Sequence, residues 1–350
     1  MDAGDVVILF GGTSEERMVS VASAQHVCRL LPDAEVWFQA PDGSVTPCPK
    51  DALLAHVDPF MRPFVPPLAP AFGSLEQALD SSAAAGKTFF LALHGGAGED
   101  GTTQAALEAR GLAFTGSNSR ASASGFDKKR TKALARAAGV RVVESRELPV
   151  GDEQGTAQSL TEMLERWGPM VAKPIRGGSS VGLFHVREPG QVPAIAAEIA
   201  RSGLPYLAEI FVSGRELTVG VVEEAGGTLK ALPCSEVLLD AGRAFDYEGK
   251  YLGKGTVEVT PAELEPELSR EAQEVALGVH RALGCEGYTR TDVILGPQGP
   301  VMLEINTLPG LTGASFIPQQ LAAAGIDVRE FVLGQLELAR ARRDRSVKPG

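Results

Sequence analysis

A chain of 350 residues is long enough for two or three domains. Hydrophobic residues at 44% and charged residues at 22% describe a folded globular protein and exclude a disordered one. With 33 Lys and Arg against 44 Asp and Glu, the net charge of −11 repels a phosphate backbone, so no nucleic-acid partner is expected.

The amino-terminal stretch Met1–Asp5 carries no positive charge cluster, and Val6–Phe10 is too short for a signal core. No apolar run approaches the ~20 residues that span a bilayer, so no membrane partner is expected. Cys28, Cys48, Cys234 and Cys285 are scattered without C-x-x-C spacing, which argues against a zinc site or a disulfide framework. These readings predict a cytoplasmic α/β protein.

Val6–Phe10 reads as a strand, Gly11-Gly12-Thr13-Ser14 as a tight turn, and Val19, Ala22, Val27 and Leu30 as the apolar face of a helix. That succession opens a parallel α/β sheet. Pro32–Pro70 holds nine of the 23 prolines and predicts an irregular excursion. Phe89–Leu93 resumes the pattern as a strand ending at His94-Gly95-Gly96, and Thr102–Arg110 is the next helix, stopped by Gly111. A second unit starts near Ser117. In it Asp127 caps a helix over Lys128–Ala138, and Met170–Lys173 and Leu183–Val186 are strands around a loop. A third unit begins around Leu207, with β-type sequence over Leu217–Val222 and a helix over Pro266–Leu283 whose face carries Leu268, Ala272, Val275 and Val279.

Tyr288–Leu295 and Val301–Asn306 flank a Gly/Pro-rich turn and predict a β-hairpin. With the turn centred on Gln298, Asp292 faces Glu304, Arg290 faces Asn306, and all four share one side of the sheet. Two facing carboxylates repel, and a divalent cation held by Asp292, Glu304 and Asn306 would offset that. Such oxygen ligands suit Mg²⁺, which is usually completed by water and substrate phosphates, so a nucleotide site is the expectation. A solvated hairpin face that tolerates its charges is the competing reading, and a bulge would move Asp292 out of line.

The loop Arg176–Gly182, beside Lys173, is rich in Gly and Ser, as anion-binding turns are; a plain surface turn is the alternative. Gly178-Ser179-Ser180-Val181-Gly182 also fits the G-x-S-x-G turn of hydrolases. That turn requires a helix immediately after it, which Leu183–Val186 does not predict.

GGTSEER at 11–17, HGGAGEDG at 94–101, FDK at 126–128, the 173–182 loop, DYEGKY at 246–251, Arg290 with Asp292, and EINTLPGLT at 304–312 then fall into one order. Together they resemble the D-alanine–D-alanine ligases of the ATP-grasp superfamily over nearly the whole chain. The resemblance implies an α/β fold, α+β in parts, with a Rossmann-like parallel sheet in an N-terminal domain (1–117), a central ATP-grasp domain (118–207) and a C-terminal one (208–345). It implies that ATP converts one D-alanine to an acyl phosphate, which a second D-alanine attacks, giving the dipeptide for peptidoglycan.

It further implies that Lys128, Lys173 and Ser180 contact the ATP phosphates, that Glu209, Ile210, Phe211 and Val212 strap the adenine, and that Glu216 binds ribose. Asp292, Glu304 and Asn306 would hold two Mg²⁺ ions, with Mn²⁺ as a substitute. Arg290 and the Gly310 N–H would stabilise an oxyanion, and Glu16 would bind the first D-alanine ammonium with His94 nearby. Glu16, Ser179 and Tyr251 would form a hydrogen-bonded triad. Lys250 and Ser315 would receive the second substrate's carboxylate, with Phe316 beside them where an aliphatic residue is familiar. The family is usually a homodimer.

The aperiodic stretch Asp240–Thr256 reads as a lid, and the resemblance implies that its Lys250-Tyr251 pair without histidine favours D-alanine over D-lactate as second substrate, with D-serine less excluded. Ile210 departs from the lysine of some relatives. Two other classes stay in view: a dinucleotide-binding oxidoreductase, although the first turn is not G-x-G-x-x-G, and a non-catalytic cation-binding module.

Overall fold

The computed structural model describes residues 5–239 and 256–347. The lid stretch, with Lys250 and Tyr251, lies outside the described residues apart from Thr256 at its end.

Strand β1 (Val6–Gly11) is buried along its whole length, as the continuous apolar run of a central parallel strand requires. Helix α1 (Arg17–Leu30) returns to β2 (Glu35–Gln39) and β3 (Val45–Cys48), followed by α2 (Lys50–Leu54) and α3 (Leu75–Asp80). The unit closes with β4 (Thr88–Leu91), α4 (Thr102–Glu108) and β5 (Ala113–Phe114). The sheet order is β3-β2-β1-β4-β5, parallel except for the edge strand β3. The proline-rich stretch is therefore not irregular throughout, as the sequence suggested. Pro47 sits in the edge strand, where no ladder bond is lost, and Pro49 stands at the start of α2. The longest segment of it without helix or strand lies between α2 and α3.

The chain leaves β1 toward β2 on one side, and β4 lies on its other side. Loops after β1 and β4 therefore open a crevice at the carboxyl ends of the strands, where open α/β sheets bind ligands. Glu16 follows β1 and His94 follows β4.

Next come α5 (Ser119–Phe126) and α6 (Lys128–Ala137), capped by Asn118 and Asp127, whose side chains accept from Ala121 N–H and Arg130 N–H. Strands β6 (Ser145–Glu147), β7 (Met170–Pro174), β8 (Phe184–Val186) and β9 (Tyr206–Ile210) form an antiparallel sheet, order β6-β9-β7-β8, covered by α7 (Glu153–Trp167) and α8 (Val192–Ser202). The junction expected at 207/208 falls inside β9, which pairs with β7 and β6 along its length.

The last sheet joins β10 (Arg215–Glu223), β11 (Leu229–Ala231), β12 (Ser235–Leu239), β13 (Thr256–Val259), β14 (Tyr288–Gly296) and β15 (Gly299–Asn306). Helix α9 (Pro266–Leu283) lays Ala272 and Ala276 on Leu217, Val219 and Val293, as its apolar face predicts. Helices α10 (Phe316–Ala323) and α11 (Val328–Val347) turn back to the first sheet. Tyr288, Ile317 and Phe331 thus share one core with Phe10 and Phe38, which fixes the β14–β15 hairpin relative to the crevice.

Two glycines test how tightly that crevice is built. Both need the left-handed backbone: at Gly11 (φ +89°) an added Cβ would meet Gln39 O at 2.3 Å, whereas at Gly43 (φ +88°) nothing lies within 4 Å. Gly43→Ala should cost about 1–2 kcal/mol in urea unfolding. Gly11→Ala should cost distinctly more, because Gln39 O, which accepts Gly12 N–H at 2.8 Å, has to move. Equal losses would contradict this account.

Candidate active site

The hairpin connection is the two-residue turn Pro297-Gln298, not one centred on Gln298, since Gly296 pairs with Gly299. A ladder continued from that turn would set Asp292 opposite Leu303 and send Glu304 to the other face. Instead the register shifts between Asp292 and Val293, leaving Leu303 as a bulge; beyond it Asp292 pairs with Glu304 and Arg290 with Asn306. The bulge brings the acids into line rather than moving them out of it.

Their repulsion is answered one carboxylate at a time. Arg290 grips Asp292 through two parallel bonds of 3.0 Å, and Thr218 Oγ1 adds one of 2.6 Å. Lys128 Nζ lies 3.8 Å from Glu304 Oε2. The protein's own cations thus do what the sequence argument assigned to a metal alone. Among the described residues no three His, Cys, Asp or Glu side chains converge on a metal position. Two carboxylates and the Asn306 amide still fit Mg²⁺, which keeps water and phosphate oxygens in most of its positions.

Arg290, Glu304 and Asn306 line a cleft, and so do Glu16, His94, Lys128, Ser179 and Gly310. Ser315 and Phe316 line it as well, and the Arg290 guanidinium stands 5.8 Å from the centre of the Phe316 ring. Ser315 Oγ accepts Thr312 N–H at 3.1 Å. Gly310 leaves little room: an added Cβ would come 3.0 Å from Ser315 Oγ and 3.7 Å from His94 Cε1.

At the crevice end, Ser179 Oγ donates to Glu16 Oε1, so the loop of the central unit is fastened to the first unit across the cleft. Two of the three expected triad members therefore meet, and the third, Tyr251, is outside the described residues. His94 Nε2 is 3.0 Å from Ser23 Oγ, and burial, then Arg290, hold its pKa down to about 4. Glu99, which the sequence reading did not single out, also lines the cleft and accepts Gly95 N–H at 3.0 Å. Burial first, then the Glu16 charge, push its pKa up to about 8. At neutral pH the end of the cleft thus holds a neutral His94 and a protonated Glu99. The signal was present in HGGAGEDG, but which of its acids is buried depends on the turn at Gly95 (φ +62°).

The loop Arg176–Gly182 connects two antiparallel strands, as predicted, and no helix follows Ser180, so the hydrolase turn is absent. Ser179 (φ +51°) and Ser180 (φ +58°) both occupy the left-handed region that non-glycine residues avoid. Lys128 Nζ donates to Gly177 O at 2.6 Å, tying the loop to α6.

Lys173 and the strap residues are not on the cleft wall. Lys173 Nζ and Lys132 Nζ bind the two oxygens of Glu209 at 2.9 and 3.0 Å, all three side chains being buried. Burial opposes Glu209's charge, but Lys173 and Lys132 outweigh it and hold its carboxyl below the usual range. Burial brings Lys132 down to about 8, with Glu209 opposing. Glu209 is thereby occupied, and Ile210 N–H and Phe211 N–H donate to Glu144 O and Pro169 O. Val212 packs partly buried on Val143 and Ile294, and Glu216 lies on β10 opposite Ile294, also away from the cleft wall. Lys132 was missed; its only sequence signal is the i,i+4 spacing from Lys128.

Comparison with known proteins gives a single answer. The family profile described as D-ala D-ala ligase N-terminus matches residues 5–117, and D-ala D-ala ligase C-terminus matches 134–336. A curated D-alanine–D-alanine ligase of Nitrosospira multiformis is 37% identical, covering 97% of each chain. Among solved structures, the D-alanine–D-alanine ligase of Coxiella burnetii superposes with TM-score 0.78 at 26% identity, covering 97% of this chain and 95% of that one. VanG D-Ala:D-Ser ligase of Enterococcus faecalis gives 0.76 at 26%, covering 95% and 98%.

The buried acid and imidazole make stability depend on pH in opposite senses. Between 4.5 and about 8 the folded chain keeps a Glu99 proton that the unfolded chain releases, so stability falls as pH rises. His94, with its pKa held from 6.5 down to about 4, contributes the opposite slope, but only below 6.5. From pH 6.5 to 8, urea unfolding should show stability declining, and Glu99→Gln should flatten that decline. An identical slope in the variant would contradict the assignment.

Proposed function

The chain belongs to the D-alanine–D-alanine ligase family, and we propose from that premise how its cleft joins the two substrates. The protein is an ATP-dependent, ADP-forming ligase of two D-alanine molecules that serves peptidoglycan synthesis. A nicotinamide-dependent reaction and a non-catalytic cation module do not agree with that membership.

The observation that carries the residue assignment is the hydrogen bond from Ser179 to Glu16 beside Lys128, Arg290 and Glu304 in one cleft. Glu16 holds the ammonium of the first D-alanine at the crevice end and leaves its carboxylate pointing toward the cationic end. Phosphoryl transfer to that carboxylate needs alignment and charge neutralisation more than covalent help. Lys128 and Lys173 provide positive charge for the phosphates. Burial opposes the charge on Lys173, and the Glu209, Glu304 and Asp292 carboxylates outweigh it, so its pKa stands above the ordinary value. The neutral amine of the second D-alanine, whose carboxylate Ser315 receives, attacks the resulting acyl phosphate. The C–O bond to phosphate breaks, inorganic phosphate leaves, and the proton lost by the new amide nitrogen goes with it.

Arg290, seated on Phe316, and the Gly310 N–H meet the negative charge that develops on the carbonyl oxygen. Asp292, Glu304 and Asn306 are the residues to hold Mg²⁺, two ions in this proposal. The metal supplies charge neutralisation at the phosphate oxygens. Ser180 and the left-handed loop around it close over the phosphates. The nucleoside extends beyond the cleft wall to Glu209–Val212 and Glu216, through groups other than the Glu209 carboxylate and the Ile210 and Phe211 N–H, which are already paired. The loop from the central unit excludes water that would hydrolyse the acyl phosphate.

Phosphate release from ATP and Mg²⁺ should depend on D-alanine and not on L-alanine; release without either, or with both alike, would overturn the reading. Deleting Leu303 joins Met302 to Glu304 in an unbroken ladder that still sets Glu304 opposite Asp292, so phosphate release should survive the deletion as it should survive Leu303→Ala. Glu304→Gln, which removes one of the two facing carboxylates, should lower it by roughly 10²-fold or more. Full activity in Glu304→Gln would show that the facing pair does not set the site.

A further inference from the structure

The segment between α2 and α3 has no regular structure, yet it is fastened at many points. Phe64 is buried, its ring centre 5.6 Å from that of Phe10 and 5.2 Å from that of Phe38. The His56 ring meets Phe64 edge-on, and His56 Nε2 lies 2.9 Å from Arg62 O. Gln25 Nε2, from α1, donates to Leu53 O at 2.8 Å and to His56 O at 2.6 Å. Met61 N–H and Arg62 N–H both donate to Asp58 O at 2.9 Å. Pro59, Pro63, Pro66, Pro67 and Pro70 restrict the backbone further, and the entropy they remove from the unfolded chain favours one arm geometry. Between the anchors at Leu53–His56 and Phe64, this arm carries Phe60 to the wall of the cleft that Glu16 and Phe316 also line. None of the catalytic steps above uses it.

The position bears on substrate size. Val19 stands one helical turn beyond Glu16, so the two side chains share the cleft side of α1, and Val19 lines the cleft too. In an amino acid bound by its ammonium, the side-chain carbon is two bonds from that nitrogen. An apolar group fixed to the same unit as Glu16 therefore meets the side chain of the first substrate. Phe316 is engaged by Arg290, and of the apolar side chains lining the cleft those of Val19 and Phe60 belong to the same unit as Glu16.

We propose that Phe60 is a specificity-determining residue whose ring, held by the proline-rich arm, restricts the first amino acid to a side chain of about methyl size. The inference rests on the placement of the first D-alanine ammonium at Glu16. A methylene more or less in such a pocket changes kcat/KM by roughly 10–200-fold.

The test uses the full chain and its Phe60→Ala and Phe60→Leu variants, with thermal melting as a check on folding. Each is supplied with ATP, Mg²⁺ and D-alanine, alone or with D-2-aminobutyrate or D-valine, and the dipeptides are sequenced by mass spectrometry. Wild type should release phosphate with D-alanine; failure there would overturn the reading of the cleft itself. Given that activity, Phe60→Ala should raise incorporation of the larger residue, relative to D-alanine, at least about tenfold, with Phe60→Leu intermediate. The gain should appear at the amino-terminal position of the dipeptide. A ratio unchanged in Phe60→Leu, even with an inactive alanine variant, overturns the proposal, and so does a gain confined to the carboxy-terminal position.

Discussion

The site depends on one residue, Leu303, being bulged out of its ladder. Side chains alternate along a strand, so a shift of one residue sends every following side chain to the opposite face. The bulge at Leu303 uses that rule: below it the hairpin follows its two-residue turn, and above it Asp292 faces Glu304 while Arg290 faces Asn306. Two acids, a guanidinium and an amide are thereby gathered on one face, over the cleft where the sheets approach each other. Met302, next to the bulge, donates its N–H to Arg141 O at 3.0 Å, which ties the irregular point to the central unit.

Such a face would be unfavourable if its charges had only each other. Arg290 and Lys128 hold one carboxylate each, so the hairpin is compensated before any substrate arrives. A divalent cation held by Asp292, Glu304 and Asn306 would take over that compensation and leave Arg290 and Lys128 to the oxyanion and the phosphates. The Lys132–Glu209–Lys173 cluster follows the same logic at greater depth. Glu209 sits between two ammonium groups at 3.0 and 2.9 Å, and removing one of them would leave a buried charge poorly matched. Lys173 is thereby kept both charged and placed.

Much of this was legible in the chain. The hairpin, the Asp127 cap, the β7–β8 strands and the Pro266–Leu283 helix follow from alternation, capping chemistry and period. The facing pair expected from the sequence forms because two departures offset each other: the turn lies half a residue before Gln298, and the bulge restores the pairing. Leu303 gives no warning, because a bulge of this kind needs no glycine. Prolines misled in the 32–70 stretch, since those at an edge strand or a helix start break nothing. Glu99 and Lys132 escaped notice because their importance lies in burial, which depends on contacts far along the chain. Phe60 escaped for the same reason: its arm has no periodicity, and its direction is set by Phe64 docking on Phe10 and Phe38.

The central claim is that protein cations and metal compete for the same two carboxylates, with nucleotide phosphates deciding the outcome. Calorimetric titration of Mg²⁺ into the protein, with and without a non-hydrolysable ATP analogue, tests it most directly. The account predicts weak binding to the protein alone and much tighter, saturable binding once the analogue is bound, beyond what the analogue itself chelates. Equally tight binding in both cases would mean that Arg290 and Lys128 do not guard the acids, and the account of the hairpin would be wrong.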